Sequence, residues 1–99
     1  MSGLLSGKNI VVMGVANDRS IAWAIARSLK SQGANLAFTY ESERVEERVR
    51  KLTETMPGSL VLPCNVTSDE DIDRLADALR ESFGVLHGVV HSIAFAKTE

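Results

Sequence analysis

Cysteine is nearly missing from this chain: Cys64 is the single one in 99 residues. An internal disulfide is therefore excluded, and without a second cysteine or a suitably spaced histidine so is a structural zinc site. Cys64 is expected to be a small buried apolar residue. Basic excess is missing too, since 11 Lys and Arg against 13 Asp and Glu leave a net charge of -2. No basic block gathers phosphate contacts, which argues against nucleic acid as a partner. Long apolar runs are absent as well. The stretches at Ile10–Val15 and Leu86–Ala96 fall well short of the roughly 20 residues that cross a bilayer, and no signal pattern opens the chain. The expected setting is the cytoplasm, with no membrane partner. Internal repeats, linkers, low-complexity segments, metal-ligand clusters and a G-x-x-x-x-G-K-[ST] phosphate loop are likewise not found.

What the sequence does contain is a 44% apolar content, mixed charge and only two prolines, the profile of a chain that folds around a core. Its length suits one domain or part of one. Lys8–Gly14 carries Ile10, Val11, Val12 and Met13 in series, continuous as a strand covered on both faces should be. From Ser20 the spacing turns helical, with Ile21, Ile25 and Leu29 four apart and Gly33 as a stop. Asn35–Tyr40 reads as a second strand. Ser42 then caps a helix with Val45, Val49, Leu52 and Met56 on one face, broken by Pro57 and Gly58. A short third strand follows at Ser59–Cys64. Thr67 or Ser68 caps a third helix bearing Ile72, Leu75, Ala76, Leu79 and Phe83 before Gly84, with Glu70 and Asp71 suiting its positive start. Leu86–Ser92 is the fourth strand.

Strands alternating with helices predict right-handed crossovers, a parallel sheet in the order 3-2-1-4 and helices on both faces. The expected fold is α/β, the first half of a Rossmann-type doubly wound sheet, with residues 1–99 as the amino-terminal cofactor-binding part of one domain. An apolar fourth strand with nothing beside it would be an open sheet edge, so more of the domain is expected beyond Glu99.

The candidate chemistry sits at the strand ends. Gly14 allows the tight turn after the first strand, and Ser20 and Ala22 are small enough for a ligand to approach the start of a helix, where free amides hold a pyrophosphate. The alternative is a plain strand-to-helix turn. Glu41, after the second strand, is placed to accept from ribose hydroxyls, or is a solvated charge. Asn65 and Val66 close the third strand, where a side-chain amide and a backbone amide meet an adenine edge, with the Asn65 oxygen accepting from the adenine amino group. Asn65 as a shaper of the turn is the alternative. His91 is read as a hydrogen-bonded core residue rather than a catalytic one, His87 as structural, and Trp23 as packing. Arg19 is either a phosphate partner or a solvated loop charge.

Leu5-Ser6-Gly7-Lys8-Asn9-Ile10, Gly14-Val15-Ala16-Asn17 with Arg19-Ser20-Ile21-Ala22-Trp23, Phe38-Thr39-Tyr40 and His91-Ser92-Ile93-Ala94-Phe95-Ala96 together resemble the bacterial enoyl-acyl-carrier-protein reductases, a divergent branch of the short-chain dehydrogenase/reductase superfamily. The likeness runs along the whole chain. It implies that Gly14, Ser20 and Ile21 line the pyrophosphate and adjoining ribose of NADH or NAD+, that Glu41 stands beside the adenosine ribose, and that Asn65 and Val66 hold adenine. Ile93 would run beside the cofactor, and Ala96 would border the acyl substrate. The family often has aspartate where this chain has Asn65, and its residue at Glu41 varies with cofactor preference.

The resemblance further implies hydride transfer to the β carbon of a trans-2-enoyl thioester carried on acyl carrier protein, in the last step of fatty-acid elongation, by a homo-oligomer that is a tetramer. The family's enolate-stabilising tyrosine and its lysine would lie beyond Glu99, so no catalytic residue is assigned here. Rival readings are another short-chain reductase acting on a ketone or alcohol, an S-adenosylmethionine-dependent methyltransferase, and a nucleotide-binding module without catalysis.

Overall fold

Among the described residues seven elements alternate: β1 (Asn9–Met13), α1 (Ile21–Ser31), β2 (Asn35–Tyr40), α2 (Glu43–Thr53), β3 (Leu60–Pro63), α3 (Asp69–Phe83) and β4 (Gly88–His91). The computed structural model describes residues 3–15, 19–65 and 67–91. The sheet runs β3-β2-β1-β4. All three of its pairings are parallel, and Val12 lies opposite Phe38 on one side and Val90 on the other. This is the expected α/β topology and strand order. The chain moves outward from β1 to β3 and then returns to the far side of β1. Right-handed crossovers therefore put α1 and α2 on one face and α3 on the other.

The continuous apolar run of β1 follows from that arrangement. Ile10 and Val12 face one core layer, with Trp23, Ala26, Leu36, Phe38 and Val49. Val11 and Met13 face the other, with Ala37, Cys64, Leu75 and Leu79. Ala22 and Ala26 are fully buried where α1 packs on the sheet, and their small side chains suit a close approach. Trp23 fills the space beside them, its ring centroid 5.7 Å from that of Phe38 at an interplanar angle of 43°. A tilted pair of this kind adds to the area it buries. The packing role read for Trp23 holds.

Capping sets the helix starts. Ser20 and Ser68 each accept a backbone N–H through the side chain, from Trp23 and Asp71, whereas Ser42 occupies the cap of α2 without a side-chain bond. Beyond α1 the chain turns at Gly33 with φ +91°, and a Cβ there would stand 3.1 Å from Ser6 Cα. Only glycine combines that backbone angle with so close a neighbour.

The amino end of the sheet is tied by side chains. Asn9 N–H donates to His87 Nδ1 at 2.9 Å, and Asn9 Nδ2 donates to the Val85 carbonyl at 2.9 Å. Asn35 Nδ2 donates to Asn9 Oδ1 at 3.0 Å. His87 is structural, as its place near the strand start suggests.

Among the described residues the fourth strand is the open sheet edge expected of it with nothing beside it, and the reading that fails is the burial of His91. Val89 is 55% exposed, and Val89, His91, Val11, Met13, Ile72 and Leu79 are among the residues lining an open apolar groove of about 390 Å³ between α3 and the sheet. His91 is exposed, and among the described residues its side chain makes no hydrogen bond, so it is not the core histidine its apolar surroundings suggest. The reason is positional: among the described residues β4 is an edge strand paired only with β1, and no helix covers its outer half.

Candidate cofactor-binding site

Parallel strands bring their carboxyl ends to one edge, and the switch in strand order between β1 and β4 opens a crevice there. Met13 is level with Thr39 and with His91, and Tyr40 with Pro63. The residues that follow these strands, Gly14, Glu41 and Asn65, therefore gather at the same edge as the start of α1.

Gly14 leaves β1 with φ +106°, a backbone angle that a side chain would strain, so the expected tight turn is present. Ser20 then opens α1 from extended backbone, and its Oγ accepts from Trp23 N–H at 3.2 Å. The amides of Ile21 and Ala22 precede any carbonyl the helix offers them. The three helix starts differ in charge. α2 carries Glu43 and Glu46 in its first turn and α3 carries Asp69, Glu70 and Asp71, while α1 has no acid there. Acids neutralise the positive start of α2 and α3, whereas the first turn of α1 carries none. Ile21 stands beside it 72% exposed, an apolar side chain left uncovered at the ligand edge.

Glu41 is exposed immediately after β2. The neighbouring cation Arg50 is already engaged: Nε donates to Glu46 Oε2 at 2.7 Å, and its guanidinium lies 5.9 Å from the Tyr40 ring centre. The bond to Glu46 is the main cause holding the Arg50 guanidinium above its usual value.

At the third strand end Asn65 sits in a dense turn. Its N–H donates to Asp71 Oδ2 at 2.9 Å, and its carbonyl accepts from Ser68 N–H at 2.9 Å. Its side-chain Oδ1 accepts from Thr67 N–H at 3.0 Å and from Thr67 Oγ1 at 2.6 Å. The expected acceptor for an adenine amino group is thus occupied, and the turn-shaping reading of Asn65 is fulfilled whatever else the residue does. Thr67 and Asp71 escaped the sequence reading as positioning residues. The Ser68-x-x-Asp71 spacing, a capping-box pattern, was the available signal, but the carboxylate reaches back past the cap to Asn65. Asp71 also lies near Cys64, which is 2% exposed; burial first, and then this carboxylate, pushes its thiol pKa up.

Val66, Ile93 and Ala96 lie outside the described residues. Among the described residues no group of His, Cys, Asp and Glu could hold a metal ion, and no helix is long and apolar enough to cross a membrane.

A parallel α/β sheet with a tight glycine turn, an acid-free helix start and an acid after the second strand defines the dinucleotide-binding class of fold. Residues 14–99 match the family model described as enoyl-(acyl carrier protein) reductase. A Bacillus cereus NADH-dependent enoyl-[acyl-carrier-protein] reductase is 55% identical over 98 residues, covering 97% of this chain and 38% of that protein. A solved structure of the Bacillus cereus reductase, with NADP+ and an indole naphthyridinone, superposes with a TM-score of 0.91 at 56% identity, covering 95% of this chain and 37% of that one. One from Anaplasma phagocytophilum, in complex with NAD, gives 0.92 at 42% identity, covering 98% and 37%. The chain belongs to the enoyl-(acyl carrier protein) reductase family. It spans 38% of the length of the Bacillus cereus relative.

Proposed function

We propose that these residues are the amino-terminal, cofactor-holding part of an NADH-dependent enoyl-acyl-carrier-protein reductase. The observation that carries the reading is the start of α1, the one helix among the described residues with no acid in its first turn, set behind the positive-φ turn of Gly14. In this reading the Ile21 and Ala22 amides hold the pyrophosphate, with Ser20 shaping the turn and Ile21 covering the adjoining ribose. Glu41 accepts from the adenosine ribose hydroxyls. Asn65 and Val66 meet the adenine, Ile93 runs beside the cofactor, and Ala96 borders the acyl chain.

When bound, the reduced nicotinamide supplies a hydride for the β carbon of a trans-2-enoyl thioester. The part of the described residues is to bind and orient. An anion held by fixed amides at a helix start costs no reorganisation on binding, and this anchors the cofactor at one end so that the other has a defined position. Protonation of the resulting enolate is assigned to none of them. The family reading brings with it acyl carrier protein as the bearer of the substrate, a homo-oligomer that is a tetramer, and a place in the cytoplasm.

The test is to assay the full-length protein with crotonyl thioester and NADH by loss of dihydronicotinamide absorbance, and to titrate it with NADH and with S-adenosylmethionine. Turnover and saturable NADH binding are expected. Binding of S-adenosylmethionine alone would support the methyltransferase reading instead.

A further inference from the structure

A carbonyl oxygen has two lone pairs, and both of those on Asn65 Oδ1 are used, by Thr67 N–H at 3.0 Å and by Thr67 Oγ1 at 2.6 Å. The first of these settles which way the amide faces, because a backbone N–H can only donate. Oδ1 therefore looks into the turn and Nδ2, a donor of two hydrogens, looks out of it. Among the described residues nothing accepts from Nδ2. The turn is braced from the other side by Asp71, which takes the Asn65 N–H at 2.9 Å and whose own N–H is held by Ser68 Oγ at 3.3 Å. Rotating the amide to present oxygen would give up both Thr67 bonds and set two donors against each other.

We propose that Asn65 meets the base of the cofactor as a hydrogen-bond donor, and that this makes the site tolerant of a purine with a carbonyl at position 6. Adenine offers an amino donor at that position, which an outward Nδ2 cannot pair, so adenine is held there through a ring nitrogen alone. Hypoxanthine offers an acceptor at position 6, which Nδ2 pairs directly, while its N1 carries a hydrogen and no longer accepts, so one contact is gained as the other is lost. An aspartate in the same turn would keep one oxygen for Thr67 and turn the other outward, reversing the preference: an acceptor for the adenine amino group, repelled by the hypoxanthine carbonyl. The inference rests on the proposed placement of the base at the end of β3 and assigns its recognition to one atom.

The experiment measures dissociation constants of NADH and of reduced nicotinamide hypoxanthine dinucleotide by dihydronicotinamide fluorescence, on the full-length protein and its Asn65→Asp variant. Because both ligands carry the same fluorophore and the variant keeps the turn, the ratio of the two constants reads the base contact alone. The wild type is expected to bind the two within about threefold of each other, and the variant to favour NADH by about tenfold or more, the size of one hydrogen bond gained and one lost. If Asn65→Asp shifts both ligands equally, the donor assignment is wrong while the base still lies at Asn65. If it shifts neither, the base lies elsewhere and the underlying placement fails with it.

Discussion

Asn9 and His87, 78 residues apart in sequence, exchange a pair of hydrogen bonds: Asn9 N–H to His87 Nδ1 at 2.9 Å, and His87 N–H to the Asn9 carbonyl at 2.8 Å. The pair joins the start of β1 to the chain entering β4, at the end of the sheet away from the cofactor edge. His87→Ala leaves the Asn9 amide without its acceptor at a site partly open to water. The expected cost is about 1 kcal/mol of stability, read as a lower denaturant midpoint, with NADH affinity unchanged. A variant with weakened NADH binding and an unshifted midpoint would contradict the structural assignment.

Trp23 is the only tryptophan in the chain and its ring is buried against Phe38. Trp23→Ala should cost about 3–5 kcal/mol through the cavity it leaves between α1 and the sheet, and Trp23→Phe much less. Thermal or chemical unfolding of the two variants checks this. Equal stability of the alanine variant and the wild type would show that α1 does not dock through this residue.

How much of this was legible depended on the distance over which each feature is decided. The β1 run predicts a strand buried on both faces because each of its side chains meets a helix layer, and the caps Ser20 and Ser68 were readable because their partners lie three residues on. The strand ends follow from topology, which brings Gly14, Glu41 and Asn65 to one edge. The exposure of His91 was not readable, because apolar composition reports a strand's tendency to be covered and says nothing of which neighbour covers it. The atom with which Asn65 faces outward was also hidden. It is decided by the backbone angles that carry Thr67 back to Oδ1, and the residue types alone permit either orientation. The tie between Asn9 and His87 joins the first and last strands, beyond the reach of any local pattern.

Cys64 gives a prediction about alkali. Burial raises its thiol pKa above the ordinary value of 9.0, with the Asp71 carboxylate as the second cause. The folded chain thus keeps its proton at a pH where the unfolded chain has begun to lose it, and unfolding releases a proton. Stability from this group is intact below the ordinary thiol pKa and falls as pH rises from there through the folded value. Cys64→Ala should therefore flatten the loss of stability above about pH 9. In the wild type at neutral pH, iodoacetamide should modify Cys64 only as fast as the fold opens, and alkylation at the rate of a free thiol would show that the β3–α3 junction is not closed.

The choice between nicotinamide cofactors is predicted to turn on Glu41, the exposed carboxylate at the tip of β2. A carboxylate there accepts from both ribose hydroxyls, whereas a 2′-phosphate would bring like charge against it. Of the arginines on α2, Arg44 is nearest to Glu41 in sequence and Arg50 lies against the neighbouring Tyr40 ring. Arg50 is committed to Glu46 at 2.7 Å and to the face of Tyr40, and Arg44 stands exposed on the first turn of α2, beside Glu41 in the chain and free to be partly neutralised by it. A phosphate site needs guanidinium groups that are held for it and not already paired. The Bacillus cereus relative has been solved with NADP+ although its counterpart is named for NADH, so likeness to relatives does not by itself decide the preference. The expectation is that NADH is preferred to NADPH in kcat/KM. Replacing Glu41 by arginine should narrow or reverse the preference by about ten- to a hundredfold, since a repulsion is exchanged for a charge-assisted bond. Steady-state kinetics of the full-length wild type and Glu41→Arg with both cofactors decide it, and equal or better use of NADPH by the wild type would remove Glu41 as the determinant.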